Sequence, residues 1–580
     1  MAWGAEVGAL SAVAAGALVG VDWLPHAAST SIEKIKGARN NLFFMGVSSK
    51  FNSLSACEIR YNFKYNIFML PASSPLLSIE NRLRNLLPAD LYASVWVDPS
   101  PAMLERVFEH LRTLQRILHD YTARLLSESA PQPGEVRYLW QRGSLMFTDL
   151  AGFTRLMEAN ASQGQAGAAS LLKVLNAYFA EMIEIISKSG GDLMEFTGDA
   201  LFAFFPETDR RNDTRQAVRA GLRMQRAMKH FSAIETPAGA LQLQMRIGIH
   251  TGRFLSADIG TPRRMEHVLL GTAVQQAKLT ESNGTNERVN LSQPAFERVK
   301  DHFRFEQGKP GYQLVTDDLS DEQLGEYEIT PRRRQASNVL FERSVAGLLN
   351  QIEEMLRSIE PLASFVPAPV LNLLVESAAE RRIPPDFPRP TVMFVNFIGL
   401  PELVDRALPG EEIKVANSFS RAFALINAAV EARGGVLKKI TYHLSGSDIV
   451  IYFGVPTAHT NDPARAAQAA LAIREIVKAI KPPTVAGAQP EVTCQIGIHE
   501  GATFVAEIGE PRGRREFNVL GDTVNTTARL MNKASKNQII VSGKIQAAIE
   551  AQFHTRSLGS VALKGKSAQM PIFELIASKD

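Results

Sequence analysis

The sequence predicts an α+β protein that contains two copies of one domain, each a split βαβ unit whose helices cover one face of a mostly antiparallel sheet. The first observation is an internal repeat with an offset near 250 residues, far longer than a solenoid period. The repeated segments are LMFTDLAGFTRL (145–156) with VMFVNFIGLPEL (392–403), MRIGIHTG (245–252) with CQIGIHEG (494–501), and VLLGTAVQQ (268–276) with NVLGDTVNT (518–526).

The second observation is that both copies follow the same order of elements. A short apolar run ends at Asp149 or Asn396, and a helix with apolar residues three and four apart follows it. A Gly-Gly pair suited to a tight turn comes next, and then a hairpin strand. The apolar helix positions are Leu171, Leu175, Tyr178, Met182 and Ile186 in the first copy and Phe419, Phe423, Ile426 and Val430 in the second.

Composition gives the broad class. The chain has 580 residues, 45% of them hydrophobic and 21% charged, with a formal net charge of +3, which indicates a globular protein without a nucleic-acid partner. Its two cysteines show no metal spacing, and they favour a reducing, cytoplasmic location. The apolar run at 7–21 falls short of the roughly 20 residues of a spanning helix, so we do not expect a membrane anchor.

A helix with a sevenfold apolar pattern precedes each copy. Packing against the domains is one interpretation, and a dimerising or signal-transmitting helix, hence a homodimer, is the other. The heptad positions are Leu104, Leu111, Leu118 and Leu125 with Val107, Leu114 and Tyr121, and then Val345, Ile352 and Ile359 with Phe341, Leu348 and Met355.

These patterns divide the chain into five segments. The first, 1–75, is undetermined, and 76–137 is helical. The first domain is expected at 138–333, a helical linker at 334–388, and the second domain at 389–580.

Two acidic residues of the first copy are candidate metal ligands. Asp149 ends a strand in FTDLAGFT, and Asp199 lies at a hairpin tip in TGDALFAFF. Carboxylates at neighbouring strand ends can share divalent cations, and Mg²⁺ prefers oxygen ligands together with substrate phosphates. Backbone N–H groups at the following helix start suit a phosphate. These would come from Ala151, Gly152, Phe153 and Thr154.

With these motifs and NVLGDTVNTTARL, the chain resembles the class III nucleotidyl cyclases, the adenylate and guanylate cyclases. The resemblance covers both repeats, and the tandem layout is most similar to soluble bicarbonate-responsive adenylate cyclases. It implies two ferredoxin-like cyclase domains that form a pseudo-twofold intramolecular heterodimer. It also implies two Mg²⁺ ions, for which Mn²⁺ can substitute, and cyclisation of ATP to 3′,5′-cyclic AMP and pyrophosphate.

The resemblance assigns complementary roles to the two copies. Asp149, Asp199 and the carbonyl of Leu150 would bind the metals, whereas the second copy has Asn396 at the first metal position. Conversely, Asn525 would orient the ribose and Arg529 would stabilise charge on the transferring phosphate. The first copy carries Gln275 and Leu279 at those positions, so one working site is expected.

The residues implied in base recognition favour ATP over GTP. Lys439 matches the lysine that reads adenine, and Lys564 matches one that holds the terminal phosphates. Asn518 departs from the usual Asp or Thr, although its carbonyl can accept from the adenine amino group. A guanylate cyclase and a catalytically inactive nucleotide-binding scaffold remain the alternatives.

The resemblance also implies a degenerate twin site. Glu195 and Lys278 occupy the positions at which the bicarbonate-responsive relatives carry a lysine and an arginine, and Val268 keeps the apolar type. Bicarbonate sensing and a silent structural remnant are the two hypotheses for this pocket.

Overall fold

The computed structural model describes residues 75–209, 212–327, 342–380, 383–511, 513–562 and 569–579. The apolar run at 7–21, Phe341 and Lys564 lie outside the described residues. Among the described residues, we find no helix that is both long and apolar enough to cross a membrane.

The described chain before the first sheet, from residue 75, is largely helical. Its helices are α1 (Pro75–Ser78), α2 (Glu80–Leu83), α3 (Ala89–Val97), α4 (Pro101–Tyr121) and α5 (Arg124–Glu128).

The first αβ unit follows α5. Its strands are β1 (Arg137–Ala151), β2 (Asp192–Thr197), β3 (Ala200–Pro206), β4 (Ile234–Thr236), β5 (Gly239–Leu241), β6 (Gln244–Thr261), β7 (Arg264–Leu270), β8 (Val289–Ser292), β9 (Phe305–Gln307) and β10 (Tyr312–Val315). Its helices are α6 (Phe153–Ala161), α7 (Gly164–Lys188), α8 (Asp213–Ala227), a 3₁₀ turn (Met228–Phe231), α9 (Thr272–Ser282), α10 (Gln293–Glu297) and α11 (Asp321–Leu324).

Two helices, α12 (Val345–Ala363) and α13 (Ala368–Glu376), lead into the second αβ unit. Its strands are β11 (Thr391–Ile398), β12 (Val436–Tyr442), β13 (Ser447–Phe453), β14 (Thr493–Glu500), β15 (Phe504–Gly509), β16 (Arg515–Leu520), β17 (Gln538–Ser542), β18 (Phe553–Val561) and β19 (Met570–Ser578). Its helices are a 3₁₀ helix (Pro401–Arg406), α14 (Glu412–Glu431), α15 (Asp462–Ala479), α16 (Asp522–Met531) and α17 (Gly543–Ile549).

The two main sheets have the same topology. The first runs β2-β3-β1-β6-β8-β10-β9 with β7 paired to β6, and the second runs β12-β13-β11-β14-β17-β19-β18, with β15 and β16 as a separate pair. In each sheet one pair is parallel, β6 with β8 and β14 with β17, and the other pairs are antiparallel. The predicted α+β fold with two equivalent units is confirmed.

The buried strand β11 shows why the units hold together. Its side chains alternate between the two faces of the sheet. Met393, Val395 and Phe397 pack in the core that contains α14 and α15. Val392 and Phe394 face the other way, into a cluster with the apolar sides of α4 and α12. The second sheet is therefore covered on both faces, which explains its nearly continuous apolar sequence.

The heptad-patterned helices α4 and α12 pack within the chain. Leu104, Leu111 and Leu118 are fully buried in the same cluster as Ile352 and Ile359. This arrangement agrees with the interpretation that the helices pack against the domains.

Two heptad positions depart from the pattern. Leu125 is 41% exposed because α4 ends at Tyr121 and Thr122 is extended. Val345, also 41% exposed, is the first residue of α12. The heptad pattern thus marks the buried helix faces but does not set the helix ends.

Candidate active site

The metal half-site lies at the end of β1 and in the β2–β3 turn. Asp149 and Leu150 lie next to Ala151, the last residue of β1. Gly152 then adopts a left-handed conformation (φ 100°), which turns the chain into α6. Asp199 stands in the turn between β2 and β3. Burial and, second to it, the negative charge of Asp149 together raise the pKa of Asp199 to about 7, so the two carboxylates lie close enough to interact.

This arrangement fits a divalent cation. Two adjacent carboxylates repel each other in the absence of a positive charge between them, and carboxylate and carbonyl oxygens are the ligands that Mg²⁺ prefers. Within the described ranges, no group of three His, Cys, Asp or Glu side chains comes together as a metal cluster. The ligand set predicted from the sequence, Asp149, Asp199 and the backbone carbonyl of Leu150, has only two side chains.

Arg246 is a residue that the sequence analysis did not assign. Its guanidinium lies 2.5 Å from Asp149 and 2.7 Å from the fully buried Glu281. Glu281 also pairs with Lys278 at 2.7 Å. Arg246 thus balances part of the negative charge of the metal half-site. The sequence does contain one indication of this role: Arg246 lies in the repeated segment MRIGIHTG, and the second copy has Gln495 at the same position.

The second half-site lies on α16. Asn525 is exposed, and Arg529 is one turn further along the same helix with a partly exposed side chain, 4.0 Å from Asp522. Side chains four residues apart lie on the same helix face. Asn525 and Arg529 are therefore presented together.

The two half-sites meet across the interface between the domains. Helix α6, which follows Asp149, contacts the start of α16: a Cβ added to Gly521 would lie 2.7 Å from the sulfur of Met157. Lys439 on β12 donates to the carbonyl of Phe196, three residues before Asp199. These contacts bring the predicted metal ligands and the predicted transition-state residues to the same interface.

Lys439 is part of a buried ionic network. Its ammonium lies 3.1 Å from Glu195 of the first domain and 3.3 Å from Glu516 of the second. Glu516 also pairs with Lys438 at 2.7 Å and lies 3.9 Å from Arg514. Glu516, Lys438 and Arg514 were not predicted from the sequence. The available signal was a charged residue inside the apolar strand β16.

Asn518 is almost completely buried on the same strand. Its side-chain oxygen accepts a hydrogen bond from the backbone N–H of Val519 at 3.0 Å. Its amide nitrogen has no hydrogen-bond partner among the described residues. A buried unsatisfied donor is costly, so this group is available to an acceptor on a ligand.

The degenerate side of the interface shows the reverse arrangement. The 3₁₀ helix after β11 contacts the start of α9, where Asp405 accepts hydrogen bonds from the backbone N–H and the hydroxyl of Thr272 at 2.7 and 2.5 Å. Glu195 and Val268 line a cavity between the domains, together with Lys439. Lys278 does not line that cavity, and its charge is balanced by Glu281. The structure therefore brings together two of the three residues predicted for this pocket.

The hairpin register shows which residue of the second domain stands at the Asp199 position. Phe453 pairs with Thr391 as Phe205 pairs with Ser144. Counting back along β13 places Ser447, not Asp448, at the position equivalent to Asp199. The second domain thus lacks a carboxylate at both metal positions.

Comparison with known proteins identifies the family of the chain. The model of the adenylate and guanylate cyclase catalytic domain matches residues 139–315 and 385–576. Because these ranges make up more than half of the chain, the protein belongs to this family.

The individual relatives have low sequence identity to this chain. The chain is 28% identical to Adenylate cyclase 1 of Rhizobium meliloti over 32% of the chain and 27% of that protein. It is 22% identical to Adenylate cyclase type 10 of Oryctolagus cuniculus over 69% of the chain and 24% of that protein. The chain thus spans about a quarter of the length of these relatives. A solved class III adenylyl cyclase-like ATP-binding protein from Pseudomonas aeruginosa is 15% identical, with a TM-score of 0.48 and coverage of 77% of this chain and 93% of that one.

Proposed function

We propose that this chain is an adenylate cyclase with one active site between its two domains, which converts ATP to 3′,5′-cyclic AMP and pyrophosphate. The observation that carries the proposal is the approach of α6, which follows Asp149, to the start of α16, which bears Asn525 and Arg529. The proposal needs acidic residues of one domain and the guanidinium of Arg529 from the other at one interface, and this approach supports it.

Asp149, Asp199 and the Leu150 carbonyl would hold two Mg²⁺ ions, or Mn²⁺ in their place. When bound, the metals lower the pKa of the ribose 3′-hydroxyl and neutralise the phosphate charge. The first-turn N–H groups of α6 add partial positive charge toward the phosphates. Lys564 is proposed to hold the terminal phosphates but lies outside the described residues.

In the reaction, the ribose 3′-oxygen attacks the α-phosphorus in line. The new O3′–P bond forms as the bond from the α-phosphorus to the bridging oxygen breaks, and that electron pair leaves with pyrophosphate. The hydroxyl proton passes to solvent. Asn525 orients the ribose, and Arg529 stabilises the negative charge that grows on the α-phosphate oxygens, because a guanidinium presents two parallel donors to them.

Lys439 and Asn518 are proposed to recognise the base. The ammonium of Lys439 donates to adenine N1. The amide nitrogen of Asn518, which has no partner among the described residues, offers a further donor. A donor of this kind also fits guanine O6, so guanylate cyclase remains the alternative activity.

Initial rates with MgATP and MgGTP test the proposal. We expect cyclic AMP to form from ATP faster than cyclic GTP forms from GTP, and EDTA to abolish the activity. Asp149→Asn should abolish it as well, since the metal site goes with the carboxylate. Equal inactivity of the wild-type protein and Asp149→Asn would favour an inactive nucleotide-binding scaffold.

Bicarbonate stimulation is a second candidate property, and the described contacts favour it less. An anion needs an available cation, yet Lys439 is balanced by Glu195 and Glu516, and Lys278 is balanced by Glu281. A bicarbonate titration at fixed pH and ionic strength tests it. A flat response would leave the twin pocket without a bicarbonate function.

A further inference from the structure

The ammonium of Lys439 is saturated with acceptors. A lysine ammonium has three N–H donors. In the structure the ammonium donates to the carbonyl of Phe196 and to the carboxylate of Glu516, and it forms an ion pair with the carboxylate of Glu195 at 3.1 Å whose geometry is not that of a hydrogen bond. The side chain of Lys439 is only 12% exposed. A base that is to be read by this lysine must therefore displace one of the three acceptors.

Glu516 is the acceptor that is held most firmly. It belongs to the same domain as Lys439 and also contacts Lys438 at 2.7 Å and Arg514 at 3.9 Å. Burial alone would raise its pKa, but the charges of Lys438, Lys439 and Arg514 lower it to about 2. Removing this carboxylate from its three cations would leave buried charges unpaired, which is costly.

Glu195 is the acceptor that is held least firmly. It comes from the other domain and lines the cavity between the domains. Lys439 is the one cation within 4.0 Å of Glu195 in the described part of the chain. Burial raises the pKa of Glu266, which lines the same cavity, and the negative charge of Glu195 adds to that rise, so Glu195 stands next to another acid. Movement of Glu195 breaks one ion pair and relieves a like-charge contact.

We infer that Glu195 competes with the purine base for Lys439, and that Glu516 is the positioning residue that keeps Lys439 at the base pocket throughout. The inference rests on the proposed function, because it takes Lys439 as the lysine that reads the base. The ion pair between Glu195 and Lys439 then determines the fraction of protein molecules in which Lys439 can bind a base. The apparent affinity for the nucleotide is proportional to that fraction.

The test uses the full chain and 3′-deoxy-ATP, which lacks the attacking hydroxyl and so reports binding alone. We expect Glu195→Gln to lower the Kd for 3′-deoxy-ATP by about 3- to 10-fold, because a neutral amide competes more weakly for an ammonium. Glu516→Gln should raise it by a similar factor. With ATP, Glu195→Gln should lower KM while kcat changes less than twofold, as expected for a change in binding and not in the chemical step.

Two controls separate base reading from general electrostatics. Tripolyphosphate has no base, so its Kd should differ by less than about twofold between the wild-type protein and Glu195→Gln. Glu207→Gln removes an acid that pairs with Arg142 and Arg298 outside this network, and it should leave the Kd for 3′-deoxy-ATP unchanged. Thermal melting checks that each variant is folded, and Glu195→Gln carries the test if Glu516→Gln does not fold.

An unchanged or raised Kd in Glu195→Gln would overturn the inference, as would an equal gain in affinity for tripolyphosphate. The outcome is distinguishable from failure of the proposed function. If the wild-type protein makes no cyclic nucleotide but the two variants shift the Kd in opposite directions, the competition stands and the cyclase assignment fails. If cyclic AMP forms and Glu195→Gln binds 3′-deoxy-ATP as the wild-type protein does, the cyclase assignment stands and the competition fails.

Discussion

Asp448 offers a direct test of the electrostatics of the second domain. It lies on β13 and is 7% exposed, and one of its carboxylate oxygens has no hydrogen-bond partner among the described residues. Burial raises its pKa from 3.8 to about 7. Replacement by the isosteric asparagine removes the ionisable group but keeps the shape of the side chain. Asp448→Asn should therefore stabilise the protein at neutral and alkaline pH.

The sign and size of this effect follow from the two pKa values. Well below pH 3.8 the carboxyl is neutral in the folded and the unfolded chain, so its ionisation has no effect on stability there. As the pH rises, the unfolded chain ionises first, so the stability falls until about pH 7 and is constant above it. A shift of this size corresponds to about 4 kcal/mol as an upper limit. Relaxation and water penetration reduce it to about 2 kcal/mol.

Thermal melting of the full chain at several pH values measures the effect. We expect Asp448→Asn to raise Tm by about 5 °C at pH 8, and by about a third of that at pH 5. The control is Asp462→Asn, because Asp462 is buried in the same domain but accepts from the backbone N–H of His459 at 2.7 Å and pairs with Arg465 at 3.2 Å. That variant should lose stability at pH 8. An equal change in Tm at pH 5 and pH 8 for Asp448→Asn, or a loss at pH 8, would refute the reasoning.

Two further predictions concern the interface that forms the active site. Arg529→Ala should lower kcat for cyclic AMP formation by about 10²–10³-fold, because it removes a preorganised donor. Lys533→Ala, at an exposed neighbouring position, should leave kcat unchanged. Equal rates for the two variants would exclude the proposed role of Arg529. Gly521→Val should lower the activity more than tenfold, since its Cβ would lie 2.7 Å from the sulfur of Met157 and its φ of 127° is one that side chains rarely adopt. Gly559 also has a positive φ, 82°, but no neighbour lies within 4 Å of its Cβ position, so Gly559→Val should stay active.

The repeat and the periodicity predicted the fold, because local patterns determine strands and helices. The Gly-Gly turns are an example, since Gly190 and Gly434 have φ of 87° and 66°. Contacts between the domains were not predictable in this way. Glu195 and Glu516 lie in different domains, and only the docked arrangement brings both to Lys439. A sequence pattern contains no information on which strand faces which across an interface.

The sequence pattern also did not predict where the helices end. The heptads continue to Leu125, but α4 ends at Tyr121. There the hydroxyl of Tyr121 donates to Glu507 at 2.8 Å, and Arg514 donates to the Tyr121 carbonyl at 2.7 Å. These contacts come from the second domain, nearly 400 residues away. The end of α4 is thus tied by tertiary structure, which overrides the local preference to continue.

The metal half-site and its degenerate counterpart differ by a coordinated pair of residues. In the first domain Asp149 pairs with Arg246 at 2.5 Å. In the second domain Asn396 stands in place of the acid, and its amide donates to Gln495 at 3.0 Å. An ion pair has been replaced by a pair of amides, so each strand pair keeps a matched partner at the same place. Either substitution alone would leave a buried group mismatched.

A double-mutant cycle tests this coupling. Asn396 is fully buried, so Asn396→Asp should cost about 2 kcal/mol or more, because the new carboxylate faces the side-chain oxygen of Gln495. Gln495→Arg alone should also destabilise the protein, but the double variant should recover about 1–3 kcal/mol as coupling energy. Chemical denaturation of the four proteins measures it. Asn427→Asp, a buried change on α14, combined with Gln495→Arg provides an additive reference.

Strict additivity in the first cycle would show that the two positions are independent and that the amide pair is not a substitute for the ion pair. A positive coupling would not create a second catalytic site, because Ser447 stands where the first domain has Asp199. With one carboxylate, the restored pair would still lack the second metal-binding side chain. Activity of the double variant should therefore still depend on the metal half-site of the first domain, and adding Asp149→Asn to the double variant should abolish cyclic AMP formation.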